Sequence, residues 1–232
     1  MTSSRISIII PALNEEQAIP AVIRDALKQC VREVIVVDNG STDSTAAAAA
    51  AAGALVISEP ILGYGRACAT GWQSADPTSD VLVFLDGDGS DVLEELHLIA
   101  GPVLAGDYDF VIGSRIRGTR EPGSMLPSQV FAGWMAGVLL RRLYKVPYTD
   151  MGPFRAISRS ALTQLQMSEM TYGWNLEMQM KAARQRLRIL EVPVRYRNRQ
   201  GGVSKVAGSL SGSFKAAVRI IEVFLRLARQ PR

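Results

Sequence analysis

Val81-Leu82-Val83-Phe84-Leu85-Asp86-Gly87-Asp88-Gly89 is an apolar run closed by two carboxylates one glycine apart. A short apolar run bounded by turn residues reads as a strand buried on both faces of a parallel sheet. Ligands of open α/β sheets gather at the carboxyl ends of the strands. Two carboxylates placed there can hold a hard ion such as Mg²⁺ or Mn²⁺, and that ion can neutralise a diphosphate that neither carboxylate could approach alone. The same residues also make an ordinary acidic turn, because Asp-Gly pairs are common turn formers. The surrounding chain has to decide.

Upstream and downstream, strands alternate with helices. Residues 6–10, 34–37, 55–57, 81–85 and 110–112 read as strands, with helical stretches near 18–29, 44–52, 66–75 and 92–104. This order builds right-handed βαβ units and a mainly parallel sheet flanked by helices. The seven alanines at 46–52 read as a packed helix, with Ser44 or Asp43 able to cap its start. A loop at 115–127 rich in Gly, Pro and Arg follows. Beyond it come a helix near 130–144, a short strand at 154–157, a helix at 174–185 and a strand at 187–196. The last helix, 210–229, is amphipathic, with Leu210, Phe214, Val218, Ile221 and Leu225 along one stripe and Lys215, Arg219, Glu222, Arg226 and Arg229 along another.

With 232 residues, 47% of them hydrophobic, the chain can bury the core of one α/β domain. The expected organisation is a single domain over 1–232: a nucleotide-binding half at 1–114, an acceptor half at 115–209 and the terminal helix at 210–229. Cys30 and Cys68 match no metal spacing and read as small core residues of a reducing compartment. From Arg184 onward there are twelve Lys or Arg against Glu191 and Glu222, so the body before it carries −6 within a total of +4. A basic tail on an acidic body suits an anionic partner such as a phosphate group, an anionic membrane or nucleic acid. Met1 to Arg5 leads directly into the first strand with no secretory signal, and no apolar run reaches the length of a spanning helix. The expectation is a cytoplasmic protein, at most peripheral at the membrane face, with no nucleic-acid partner.

Four strand ends carry the chemistry. The first runs into Pro11-Ala12-Leu13-Asn14-Glu15-Glu16, the second into Asp38-Asn39-Gly40-Ser41-Thr42-Asp43, the third towards Gly63-Tyr64-Gly65-Arg66, and the fourth into Asp86 and Asp88. As an ordered set these resemble the nucleotide-sugar domain of family 2 glycosyltransferases, whose fold is called GT-A. Thr149-Asp150-Met151-Gly152-Pro153-Phe154-Arg155, Trp174-Asn175-Leu176-Glu177, Glu191-Val192-Pro193-Val194 and Gly202-Val203-Ser204-Lys205 resemble its polyprenyl-phosphate, dolichyl-phosphate mannosyltransferase-like branch.

The resemblance implies an inverting, Mg²⁺- or Mn²⁺-dependent hexosyltransferase using a UDP- or GDP-sugar donor and a polyprenyl-phosphate acceptor. Pro11, Asn14 and Glu15 would line the base pocket, and Asp38 would accept hydrogen bonds from base or ribose. Gly65 would permit close backbone approach and Arg66 would reach the diphosphate. Asp86 would contact ribose or metal, Asp88 would be the main metal ligand, and Glu177 would bind the donor. Arg115, Arg117, Arg199 and Lys205 would hold phosphate, the last two from a loop that closes over the site. Asp150 would be a general base or a ligand of the sugar hydroxyls, depending on whether the acceptor is an alcohol or an ionised phosphate. Ser90 stands where that branch often has an amide ligand, which leaves a third protein ligand open. Rival readings are transfer to a soluble acceptor, a haloacid-dehalogenase-like phosphatase with Asp86 as nucleophile, and a non-catalytic membrane-associated scaffold.

Overall fold

The computed structural model describes residues 5–201 and 210–229. Its centre is a seven-stranded sheet in the order β3-β2-β1-β4-β6-β5-β7. The strands are β1 (Ile6–Ala12), β2 (Glu33–Asp38), β3 (Leu55–Ser58), β4 (Val81–Phe84), β5 (Phe110–Ser114), β6 (Arg155–Ser158) and β7 (Ile189–Pro193). All pairings are parallel except those of β6, which runs antiparallel to both β4 and β5.

The strand residues alternate between two cores. Ile9, Ile35, Leu82, Phe84 and Ile112 face one side, against α3 (Tyr64–Ser74), α6 (Arg159–Leu165), α7 (Trp174–Arg184) and α8 (Leu210–Ala228). Ile8, Ile10, Val34, Val36 and Val83 face the other, against α1 (Ile19–Leu27), α2 (Thr45–Ala51) and α4 (Leu96–Leu104). A strand covered on both faces has no polar side, which explains its unbroken apolar sequence. The alanine tract is helical, and Asp43, rather than Ser44, accepts the Thr45 amide at its start. Among the described helices, α5 (Pro127–Tyr144) begins one turn earlier than expected, with proline in its first turn, where a missing amide costs nothing.

Three expectations change. The seven-residue α6 follows β6 directly, held at its start by the Ser158 hydroxyl accepting the Ala161 amide. Cys68 is buried as expected, but Cys30 lies at the surface beyond α1. The terminal helix docks through a different face from the expected stripe: Val223 and Leu227 are buried with Ile220 and Phe224 beside them, while Val218, Ile221 and Leu225 are exposed. The side chains of Leu210, Phe214 and Lys215 lie outside the described residues. No described helix is long and apolar enough to cross a membrane.

Candidate active site

The carboxyl ends of β1, β2 and β4 converge on an acidic turn. Asp88 is nearly buried, and its Oδ1 accepts the amide and hydroxyl of Ser90. Its Oδ2 lies 2.8 Å from Arg199 Nη2, which is also 3.5 Å from Glu15 Oε1. A strap of chain holds Arg199 there: the Arg197 amide bonds to Ser90 O, the Gln200 amide bonds to Asp88 O, and Asp91 bridges Tyr196. The guanidinium therefore sits where a cation between the strand ends would sit.

Asp91, which sequence reasoning passed over, completes the cluster. Its Oδ2 accepts the Asp86 amide, while its Oδ1 is buried with no hydrogen-bond partner. Burial, reinforced by the charges of Asp86 and Asp88, pushes its carboxyl well above the usual range. Burial and then the Asp88 charge push Asp86 up to about 7, against the opposing pull of Arg115 and Arg199. Three carboxyls within the seven residues after β4 were the available signal for Asp91.

Such a cluster is short of positive charge, and an orphaned carboxyl oxygen beside it is a reason to expect a cation. Among the described residues, no group of three or more His, Cys, Asp or Glu is placed to hold a metal. The donor set fits an ion that takes Asp86 and Asp88 from the protein and completes its shell with substrate and water oxygens, as Mg²⁺ commonly does.

Around this centre, the structure places several expected residues in other employment. Asp150 is fully buried and grips Arg115: Arg115 Nε donates to Oδ2 and Nη2 to Oδ1, both at 2.8 Å, and the Arg115 and Met151 amides add to it. Burial, the largest single influence, would raise the Asp150 carboxyl, but the Arg115 charge and the hydrogen bonds from Arg115 and the Met151 amide together outweigh it and hold the pKa below the usual range. An enclosed carboxylate paired with a guanidinium is a weak general base, and in this geometry Asp150 braces Arg115. The Arg115 guanidinium in turn lies 5.1 Å over the Tyr196 ring, beside the strap. Arg117 donates to the Glu191 carbonyl in the middle of β7.

Glu177 is also withdrawn. Its carboxylate accepts the Ser168 and Glu169 amides and the Ser168 hydroxyl, and Lys181 pairs with it at 3.0 Å. It secures the loop before α7 and has nothing left for a donor. Gly65 is needed for close approach, but to that same loop: a Cβ there would collide with Glu169 O, and the Gly65 and Arg66 amides bond to Thr171 O and Met170 O. The first turn of α3 is thus satisfied by the protein itself. Arg66 stays half-exposed on that turn, close enough to Glu59 to lower its carboxyl pKa, after the larger effects of Thr70 and Ile61.

Pro11 lies in β1 opposite Val37, and Asp38 ends β2 with its carboxylate accepting the Ser41 amide. Asn14, at φ 53°, accepts the Thr42 amide on its side-chain oxygen and donates its own backbone amide to the Ser41 hydroxyl, lacing the β1 and β2 loops together. Lys205 lies outside the described residues. What remains at the β1 and β4 ends is an acidic cluster, Glu15, Asp86, Asp88 and Asp91, with residues 196–200 strapped onto it through Ser90 and Asp88.

The profile described as glycosyl transferase family 2 matches residues 7–165. An uncharacterised glycosyltransferase of Mycobacterium tuberculosis strain H37Rv is 36% identical over 93% of this chain and 96% of its own length. An undecaprenyl-phosphate mannosyltransferase of Micrococcus luteus is 30% identical over 90% of each chain. Among solved structures, glucosyl-3-phosphoglycerate synthase from M. tuberculosis, in complex with Mn²⁺, UDP-glucose and phosphoglyceric acid, superposes with a TM-score of 0.79 at 25% identity, covering 99% of this chain and 81% of that one.

Proposed function

The chain belongs to glycosyl transferase family 2, and on that premise we propose that it moves a hexose, glucose or mannose, from a UDP- or GDP-sugar to a polyprenyl phosphate, with inversion. The GT-A fold and the enzyme class are common ground with its relatives; donor and acceptor are our reading. One observation carries the acceptor. Asp150, the carboxylate best placed in sequence to be a base, is locked onto Arg115 and held ionised at low pKa. An alcohol acceptor needs a base, whereas a phosphate oxygen arrives ionised near pH 7. The polyprenyl-phosphate substrate of the Micrococcus relative agrees with this chemistry.

In this reading Asp86 and Asp88 would hold Mg²⁺ or Mn²⁺, which would supply charge to offset that of the departing nucleoside diphosphate. Asp38 and the laced loops after β1 and β2 receive the nucleoside. Arg199 leaves Asp88 for the donor phosphates, exchanging one anion for another. A soluble phosphorylated acceptor is the second reading, favoured by the phosphoglyceric acid bound to the structural neighbour.

The test is a matrix of UDP- and GDP-hexoses with Mn²⁺, each offered a polyprenyl phosphate in detergent or a small phosphorylated alcohol. Transfer to the lipid, with an anomeric configuration opposite to the donor's, supports the proposal. Transfer confined to the soluble alcohol rejects it.

A further inference from the structure

Helix α5 carries its small residues inward and its large ones outward. Gly133 and Gly137 face the segment leading to Asp150, where a Cβ on Gly137 would meet the Tyr148 carbonyl at 2.6 Å. Leu140 is buried on the same side. On the opposite side Phe131, Trp134, Met135 and Leu139 are exposed, Phe131 and Trp134 by more than half. Spaced at three and four residues, they form one stripe, and the Phe131 and Trp134 rings lie 5.9 Å apart. The stripe continues into a groove of about 820 Å³ lined by Ile116, Arg120, Met125 and Val130.

Charge selects the occupant. Residues 127–145 contain no Asp or Glu, and the helix ends in Arg141, Arg142 and Lys145, all exposed. Of the nearest carboxylates in sequence, Asp150 is buried against Arg115, and Glu121, which lines the groove and accepts the Asn198 amide, leaves a single negative charge against Arg120, Arg141, Arg142 and Lys145. A second copy would bring the same uncompensated cations to the contact. An anionic bilayer offers apolar depth for the stripe and headgroup charge for its basic end, with tryptophan at the level such rings prefer. The terminal helix is less suited, because Arg219 and Arg226 turn to Glu169, each at 3.1 Å.

We infer that the exposed face of α5, from Phe131 to Leu139 with Arg141, Arg142 and Lys145, is an anionic-membrane docking surface. Its meaning for the reaction rests on the polyprenyl-phosphate reading, since docking by α5 would set the groove and the Arg115 strand end against the bilayer that holds the acceptor.

The test uses the whole chain and phosphatidylcholine vesicles with or without phosphatidylglycerol, lacking any polyprenyl phosphate. Trp174 is buried and Trp72 half-buried, so a blue shift on binding reports Trp134. The expected result is a blue shift on phosphatidylglycerol vesicles that brominated lipid quenches and salt diminishes. Phe131→Ser with Met135→Ser should weaken vesicle affinity by on the order of tenfold or more, while Ile221→Ser with Leu225→Ser leaves it unchanged. Failure to bind anionic vesicles, loss of binding in the α8 variant alone, or a dimer that Phe131→Ser with Met135→Ser dissociates would each overturn the inference. Turnover in detergent reads the acceptor separately, so the two proposals fail independently.

Discussion

Arg199 Nη2 lies 2.8 Å from Asp88 Oδ2, so the protein's own cation occupies the carboxylate expected to bind metal. If Asp88 binds metal as proposed, the ion displaces the guanidinium and frees it for phosphate. Arg199→Gln should therefore tighten binding of Mn²⁺ alone and raise KM for the nucleotide sugar. Loss of a charge-assisted contact is worth about 1.5 to 3 kcal/mol, or roughly tenfold to a hundredfold. Calorimetry with Mn²⁺ in the absence of nucleotide, paired with donor kinetics, checks both signs; weaker Mn²⁺ binding would sink the idea.

Asp88→Ala should abolish metal-dependent donor binding with little loss of fold. The contacts removed are local, to Ser90 and Arg199, and Arg199 retains Glu15. Thermal unfolding with and without Mn²⁺ and UDP- or GDP-sugar reads both: an unchanged midpoint for the bare variant, and no upward shift with ligand.

Asp150→Asn distinguishes a brace from a base. Removing one partner of a buried ion pair costs about 3 to 5 kcal/mol, because Arg115 is left uncompensated. The variant should unfold more easily, and its kcat/KM should keep the parent's dependence on pH. Disappearance of an acidic limb from that profile would restore Asp150 as base.

Glu177 gives an acid-stability prediction. Burial would raise its carboxyl, but the Ser168 hydroxyl, the Glu169 and Ser168 amides and Lys181 together hold it below its ordinary 4.5. A depressed folded-state pKa stabilises above the unfolded value, and the contribution fades as pH falls through the folded one. Glu177→Gln should accordingly lower the melting temperature at pH 7, with the gap to the parent closing below about pH 4.5. A gap that persists undiminished at lower pH would contradict this.

Much of the scaffold was legible because buried strands and periodic helices write themselves locally. The run ending at Asp86 and Asp88 is one strand end, the loop after Pro11 ends the strand beside it, and the loop at Asp38 ends the next strand along, all parallel. Pairing partners are not local: the short segment at 154–157 reads as a strand, yet nothing in it reveals insertion between β4 and β5 in the opposite sense. Side-chain employment was the least legible. Glu177, Gly65 and Asp150 each have the residue type a donor site needs, but their partners, Ser168, Glu169 and Arg115, come from other segments and claim them first. The terminal helix misled for a related reason, since it carries apolar residues on two sides and packing chose Val223 and Leu227.

The place of β6 bears on how such enzymes exchange specificities. A chimera joined after Ser114 would seem to swap acceptor recognition while keeping the donor half. Because β6 sits between β4 and β5, the graft would also replace the strand that joins the two, and β7 with it. Val81 to Phe84 would have to find register with a foreign Arg155 to Ser158, and a mismatch would leave β4 an unpaired edge open to aggregation. Recombination in this fold is therefore better aimed at single loops, such as residues 115–127, than at halves.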